Sequence, residues 1–275
     1  MWAVTCVLLI TAADDKAIRD AVTFHASFDE EVKGDRGGGV LTPSTRVQDD
    51  KGKATFVEGI DRKVFRIARG KGVSGGALEV VDVLKNNSRI YFPAKGNLAY
   101  DPRGWSGSVS MWCKTDPDAR LKTRFCDPVQ ITQRGANDGA LWFDFNDKKP
   151  RDLRHGAFPA VPPGAKGIGE DSPDSPMVRV PKIGWKADDW HHVVLTWESL
   201  DTGKKDAVTS LYIDGKLIGQ VKGREIAMKW DIDKANIYVA INYIGLIDEL
   251  ALFRRALSAD EVKRLQAEPG LLKGK

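Results

Sequence analysis

Leu211-Tyr212-Ile213-Asp214-Gly215-Lys216-Leu217-Ile218 is the stretch that decides the fold. Apolar and β-branched residues flank a central Asp-Gly pair. Asp-Gly tolerates the positive φ angles of a type I′ turn, and that turn matches the right-handed twist of the strands it joins. The stretch reads as a β-hairpin. Outward from it the same alternation recurs. Val22-Thr23-Phe24-His25-Ala26-Ser27-Phe28 and Ser108-Val109-Ser110-Met111-Trp112-Cys113-Lys114 carry apolar residues at every second position. Period-two spacing turns one face of a strand to a core and the other away from it. Residues 64–67, 78–83, 89–92, 129–133, 140–145, 192–196 and 237–241 also suit strands. Turn residues stand between them: Gly37-Gly38-Gly39, Gly75-Gly76, Asp101-Pro102 and Asn137-Asp138-Gly139.

Helix signals are scarce. Ser258 and Glu261 form a capping box over 258–266, each side chain taking up an orphan N–H of the first turn, and Pro269-Gly270 ends it. Many short strands and one late helix predict an all-β, two-sheet antiparallel sandwich with one short C-terminal helix. No composition shift divides the chain, so a single domain over 20–268 is expected.

The 275 residues are 42% hydrophobic and 29% charged, with a net charge of +4. That is ordinary globular composition and excludes whole-chain disorder. No run of like charge is long enough for a nucleic-acid-binding tail. No apolar stretch reaches the ~18 residues of a spanning helix. Residues 2–10, WAVTCVLLI, run into Thr11, Ala12 and Ala13 and then Asp14-Asp15-Lys16. An apolar run ending in small residues reads as an export signal over 1–13, although the positive n-region is missing and a buried first strand is the alternative. Its removal would take Cys6 and leave Cys113 and Cys126. These either bridge or stay two separate buried thiols, since sequence does not give the Cα separation a bridge needs.

Residues 146–185 break the alternation. Pro150, Pro159, Pro162, Pro163, Pro173, Pro176 and Pro181 interleave with glycine, and the first part, 148–158, is basic with one aromatic. Long loops on a rigid scaffold are often functional. The segment is expected to be an insertion carrying a ligand surface. Arg151 and Arg154 offer bidentate donors to carboxylate or sulfate, and His155 adds a donor. Phe158 supplies an apolar plane, with Trp142 and Trp185 at the two ends.

Three stretches carry a family resemblance. Trp105-Ser106-Gly107-Ser108-Val109-Ser110-Met111-Trp112-Cys113-Lys114 is the first, with Met111 where an aromatic is usual. Trp190-His191-His192-Val193-Val194-Leu195-Thr196-Trp197, followed by the 211–219 hairpin, is the second. Gly245-Leu246-Ile247-Asp248-Glu249-Leu250-Ala251-Leu252-Phe253, followed by Arg255-Ala256-Leu257-Ser258-Ala259-Asp260-Glu261-Val262, is the third. In this order they resemble the laminin-G-like jelly-roll family of the concanavalin A-like lectin/glucanase superfamily. The resemblance implies a two-sheet jelly roll with one concave sheet. It also implies an exported protein, periplasmic, cell-surface or extracellular, that binds a polysaccharide or glycan, or a cell-surface protein. The fold alone does not settle the ligand.

The same group includes glycosidases that present alternate carboxylates along one strand, and retaining enzymes need the two ~5–5.5 Å apart. Here Asp248 and Glu249 are adjacent and on a regular strand would face opposite ways, Asp29-Glu30-Glu31 sits where a strand should end, and Asp144 has no acidic partner at i±2. No catalytic set is expected. His191 and His192 read as one surface and one core histidine rather than a metal pair. By the resemblance, Asp248 in the last strand and Asp29 near the first would hold a structural calcium ion, a cation that takes oxygen ligands. The expectation is an exported, non-catalytic binding module, with a glycoside hydrolase or lyase and a cell-surface adhesion module as the alternatives.

Overall fold

The computed structural model describes residues 12–85, 88–122 and 125–273. The leader expected at 1–13, with Cys6, falls outside the described residues except at its end, where Ala12 already begins a helix. In chain order the strands are β1 Val22–Ala26, β2 Arg36–Gly37, β3 Ser44–Gln48, β4 Ala54–Glu58, β5 Phe65–Ile67 and β6 Leu78–Val80. Then come β7 Arg89–Pro93, β8 Trp105–Lys114, β9 Cys126–Gly135, β10 Asp138–Phe145, β11 Leu153–Phe158 and β12 Met177–Val180. The last are β13 His191–Leu200, β14 Ala207–Ile213, β15 Lys216–Arg224, β16 Asn236–Ile241 and β17 Gly245–Phe253. The helices are α1 Ala12–Ala21, α2 Pro117–Arg120 and α3 Ala259–Ala267.

The strands form two antiparallel sheets. A nine-stranded sheet runs β15-β14-β13-β8-β17-β1-β2, with β6 also on β17 and β5 on β6; an eight-stranded sheet runs β12-β11-β10-β9-β16-β7-β3-β4. The deciding hairpin is β14–β15: Asp214 at φ 49° and Gly215 at φ 75° make its turn, closed by the pair Ile213 and Lys216. The expected capping box is present, with Ser258 and Glu261 bonding reciprocally at the start of α3.

Alternation fills the space between the sheets. Phe24, Met111, Leu195, Leu211 and Leu252 from one sheet meet Ile90, Phe92, Val129, Ile131, Phe143 and Ile237 from the other. Each such side chain contributes about 1.5–3 kcal/mol when fully buried. Cys113 on β8 and Cys126 on β9 are buried here as free thiols, the second of the two arrangements left open.

The outer face of the nine-stranded sheet is covered too. Val194, Tyr212, Ala251 and Phe253 pack under Ile18 of α1, Val262 and Leu265 of α3, and Leu271 and Leu272 of a closing 3-10 turn. Arg264 pairs with Asp15 at 2.7 Å, and Arg19 Nε donates to the Leu271 carbonyl at 3.0 Å. Helix α1 therefore adds to the single helix expected. Its sequence, AADDKAIRDA, has too few apolar residues to show a helical period, and tertiary contacts hold it.

The expected insertion at 146–185 is not loop throughout. It supplies β11 and β12, which pair with each other and extend the eight-stranded sheet past β10. Leu153, His155 and Ala157 alternate with Arg154, Gly156 and Phe158, so the strand period is there but polar residues and glycine hide it. Gly156 is required: a Cβ there would stand 2.3 Å from the Trp142 ring lying across it. The true excursion is 159–176.

Candidate ligand-binding face

The outer face of the eight-stranded sheet gathers the chemistry. Its register lines up Met177, Gly156, Trp142, Gln130, Tyr238, Tyr91 and Ser44 from β12 to β3. In the adjoining row Arg179, Arg154 and Asp144 lie on β12, β11 and β10, and Arg89, Arg46 and Phe56 on β7, β3 and β4. Asp127 joins from the irregular start of β9.

The two halves of this face differ. On β7, β16 and β4 the rings form a run, Phe56 to Tyr91 at 5.3 Å and Tyr91 to Tyr238 at 5.9 Å, with Arg89 over Tyr238 at 5.6 Å; Tyr91 and Tyr238 are buried. Phe56 is 56% exposed at its end. On β10 and β11 the face lies under the 159–176 excursion. Trp142 and Phe158 stack at 5.7 Å with 16° between planes, and Ile168 and Met177 pack on them. Arg154 lies within 5.4 Å of the Trp142 ring and 4.9 Å of Phe125. Its Nε donates to Asp144 Oδ1 at 2.8 Å, its Nη2 also reaches Asp144, and its Nη1 donates to Glu170 Oε2 at 2.6 Å.

Burial and charge set the protonation here. Burial, with Asp144's charge added, pushes Asp127 well above the usual carboxylate range. Burial also pushes Asp144 up to about 6, although Arg154 opposes it. The Arg154 guanidinium is held charged by its two carboxylates, which overcome its own desolvation. A carboxyl that keeps its proton both donates and accepts hydrogen bonds. The face thus offers aromatic planes, guanidinium donors and a mixed donor–acceptor acid pair, which suits a ring-shaped, hydroxyl-rich ligand.

Of the six residues expected to bind ligand, Trp142, Arg154 and Phe158 share this face. The others do not join them. His155 points into the sandwich, its Nδ1 at 3.0 Å from the Trp142 carbonyl, and burial lowers its pKa to about 4. Trp185 packs in the core against Phe145 and stacks on His191 at 4.2 Å. Arg151 precedes β11, and its guanidinium donates to the carbonyls of Asn146 and Leu121. Sequence reasoning missed Phe56, Tyr91, Arg89, Asp127 and Tyr238. The alternation of Arg89 with Tyr91, opposite to Ile90 and Phe92, was the available signal.

The histidine pair divides as expected: His192 is buried against Ser110 and Trp112, and His191 is partly exposed and bonds Asp214 at 2.9 Å. The two carboxylates expected to hold calcium are otherwise engaged. Asp29 accepts from Gly76 N and pairs with the Lys273 ammonium at 2.8 Å, and Lys273 also reaches Glu249 at 2.8 Å. Asp248 accepts from Ser74 N and Glu249 N. Burial and the charge of Glu249 push Asp248 up to about 8. Lys273 thus supplies the positive charge between first and last strands, and among the described residues no group of three or more His, Cys, Asp or Glu is placed to hold a metal. This donor set does not fit a calcium ion. Strand β17 is also irregular here, with Glu249 at φ 50°, so the simple alternation expected of Asp248 and Glu249 does not apply.

Two antiparallel sheets with this strand order and an aromatic-lined outer face define a concanavalin A-like jelly roll. The chain belongs to the Laminin_G_3 family of the concanavalin A-like lectin/glucanases superfamily, whose model matches residues 84–263. No curated protein matches it. Domain 4 of AbnA, a GH43 extracellular arabinanase from Geobacillus stearothermophilus, solved in complex with arabinotriose, is 18% identical at a TM-score of 0.50, covering 89% of this chain and 98% of that one. The binding domain of botulinum neurotoxin DC, in complex with rat synaptotagmin II, is 11% identical at a TM-score of 0.57, over 91% of this chain and 52% of that one. The receptor binding domain of botulinum neurotoxin D is 13% identical at 0.53, over 92% and 54%. This chain spans about half the length of the toxin domains. At these identities the likeness is one of fold. Among the described residues no helix is long and apolar enough to cross a membrane.

Proposed function

We propose that this chain is an exported, non-catalytic glycan-binding module whose ligand lies along the outer face of the eight-stranded sheet. The observation that carries this reading is the run of rings from Phe56 through Tyr91 to Tyr238, flanked by Arg89 and leading to the Arg154–Asp144 pair. Sugar rings present C–H faces to aromatic planes, while charged groups take the hydroxyls. That a domain of this fold was solved with arabinotriose supports the ligand class, and export accords with the apolar run at 2–10. Calcium is not part of this reading, because Lys273 already neutralises Asp29 and Glu249.

A glycan array read with wild type and Phe56→Ala tests it. Phe56 is exposed, so its loss leaves the fold intact and is expected to weaken binding by about tenfold, near 1.4 kcal/mol. Equal binding by the two proteins would overturn this placement. A glycoside hydrolase is the second reading, favoured by Asp127 and Asp144, two acids with raised pKa on neighbouring strands. Release of sugar from a bound polysaccharide, abolished by Asp127→Asn, would establish it.

A further inference from the structure

Between Pro162 and Asp171 the 159–176 excursion is exposed at every position but two, Ile168 and Glu170, which both turn toward the sheet. Ile168 covers the Trp142–Phe158 stack. Glu170 Oε2 accepts from Arg154 Nη1 at 2.6 Å, and its Oε1 accepts from Asn137 Nδ2 at 3.0 Å. A guanidinium and an amide grip the two oxygens of one carboxylate, the arrangement by which proteins recognise carboxylate ligands.

We propose that Glu170 is a tethered stand-in for the carboxylate of an acidic sugar, and that the excursion bearing it is a lid over a uronate-type subsite built from Arg154, Asn137, Trp142 and Phe158. This deepens the glycan-binding reading and rests on it for the identity of the full ligand.

Arg154, Trp142 and Phe158 belong to the sheet, and Asn137 sits in the tight turn between β9 and β10. Arg154 is 3% exposed and stays fixed by Asp144 on the neighbouring strand, so the guanidinium keeps its aim when Glu170 leaves. Asn137 Oδ1 is buried without a partner among the described residues, an acceptor ready for a hydroxyl beside the carboxylate. The stacked rings under Ile168 give a sugar its apolar plane.

The lid is held at its ends and weakly in its middle. Ala160 N donates to the Ala227 carbonyl at 2.7 Å, Val161 N to Asp138 at 2.8 Å, and Ala157 N to the Pro176 carbonyl at 3.0 Å. Between these anchors, apart from Glu170, Asp171 makes a loose pair with Arg179 at 3.9 Å, and Arg224 Nη1 donates to the Asp174 carbonyl at 2.5 Å near the C-terminal anchor. A Cβ at Gly164 or Gly169 would meet nothing within 4 Å, and the middle touches the protein through Ile168, Glu170 and Gly167, which lies against Val161. A ligand carboxylate must displace Glu170 to bind, and its apparent affinity falls by the fraction of molecules with the lid open. Removing the stand-in removes that competition.

The test compares wild type with Glu170→Ala and Glu170→Gln by calorimetry, using oligogalacturonate and neutral galactan oligomers. Both variants are expected to bind oligogalacturonate at least tenfold more tightly than wild type, with galactan affinity unchanged. No gain, or an equal gain for galactan, would overturn the proposal. Free glucuronate provides a readout that needs no polymer: it should raise the melting temperature of Glu170→Ala but not of wild type, and glucose should raise neither. A flat response in Glu170→Ala defeats the subsite while leaving the glycan-binding reading standing. A glucuronate response with no bound glycan on the array does the reverse.

Discussion

Arg154 and His155 are neighbours on β11 with opposite fates. Arg154 faces outward and is charged between two carboxylates, and His155 faces inward and is kept neutral by burial. The pH behaviour of the pair follows from sign. The unfolded chain takes up the His155 proton near pH 6.5, the folded chain only near 4. The unfolded state therefore binds more protons in that window, and His155 removes stability as the pH falls from about 6.5 to about 4. Asp144, raised to about 6, works the other way, removing stability as the pH rises from about 4 to about 6. Comparison with His155→Leu isolates the first effect. Urea unfolding at a series of pH values should show the wild type losing up to about 1.4 kcal/mol per pH unit relative to the variant below pH 6.5. Parallel curves would mean His155 does not titrate between the two states. At this scale the sequence showed that Trp142, Arg154 and Phe158 were chemically suitable, but their common side comes from the β10–β11 pairing, which the sequence reading did not find. It did not show that Arg151 would serve backbone carbonyls or that Trp185 would fill the core, because both lie outside regular strands and no period constrains them.

Elements were legible where local chemistry and tertiary packing agree. The Asp214-Gly215 hairpin needs its two positive φ angles, and the Ser258 helix needs its cap, so residue identity alone reveals them. Strands β3 and β4 were not legible, because β4 is the edge strand, β3 lies next to it, and both mix polar and apolar residues with almost no buried position. Strand β11 hid behind Arg154 and Gly156, both dictated by what covers them. Gly156 permits a test of that claim. In Gly156→Ala the new methyl meets the Trp142 ring, and the indole must lift from the sheet. We expect a loss of about 1–3 kcal/mol in urea unfolding and a changed tryptophan emission, the overpacking cost of a small-to-large change in a packed site. An unchanged stability and spectrum would mean the indole does not lie across β11.

Across the whole molecule, an ammonium ties the last strand to the loop after the first. Lys273 reaches back from the closing 3-10 turn to Asp29 and Glu249, and Glu249 also bonds His25 on β1 at 2.8 Å. In Lys273→Met the Glu249 carboxylate loses its cationic partner while buried. A loss of about 1.5–3 kcal/mol is expected from removal of a charged hydrogen bond. Calcium and chelator should leave the wild-type melting temperature unchanged. A rise with calcium in the wild type would show that an ion displaces the lysine.

Helices α1 and α3 and the 3-10 turn all lie on the nine-stranded sheet, with Arg19 of α1 bonded to Leu271 of the turn. The chain thus enters and leaves the described domain on the side away from its aromatic face. Tethering at either end, to a matrix, a membrane anchor or another copy, leaves that face turned outward. Copies joined end to end would present their aromatic-lined sheets along one polymeric ligand, and their affinities would then combine through effective concentration without any new contact.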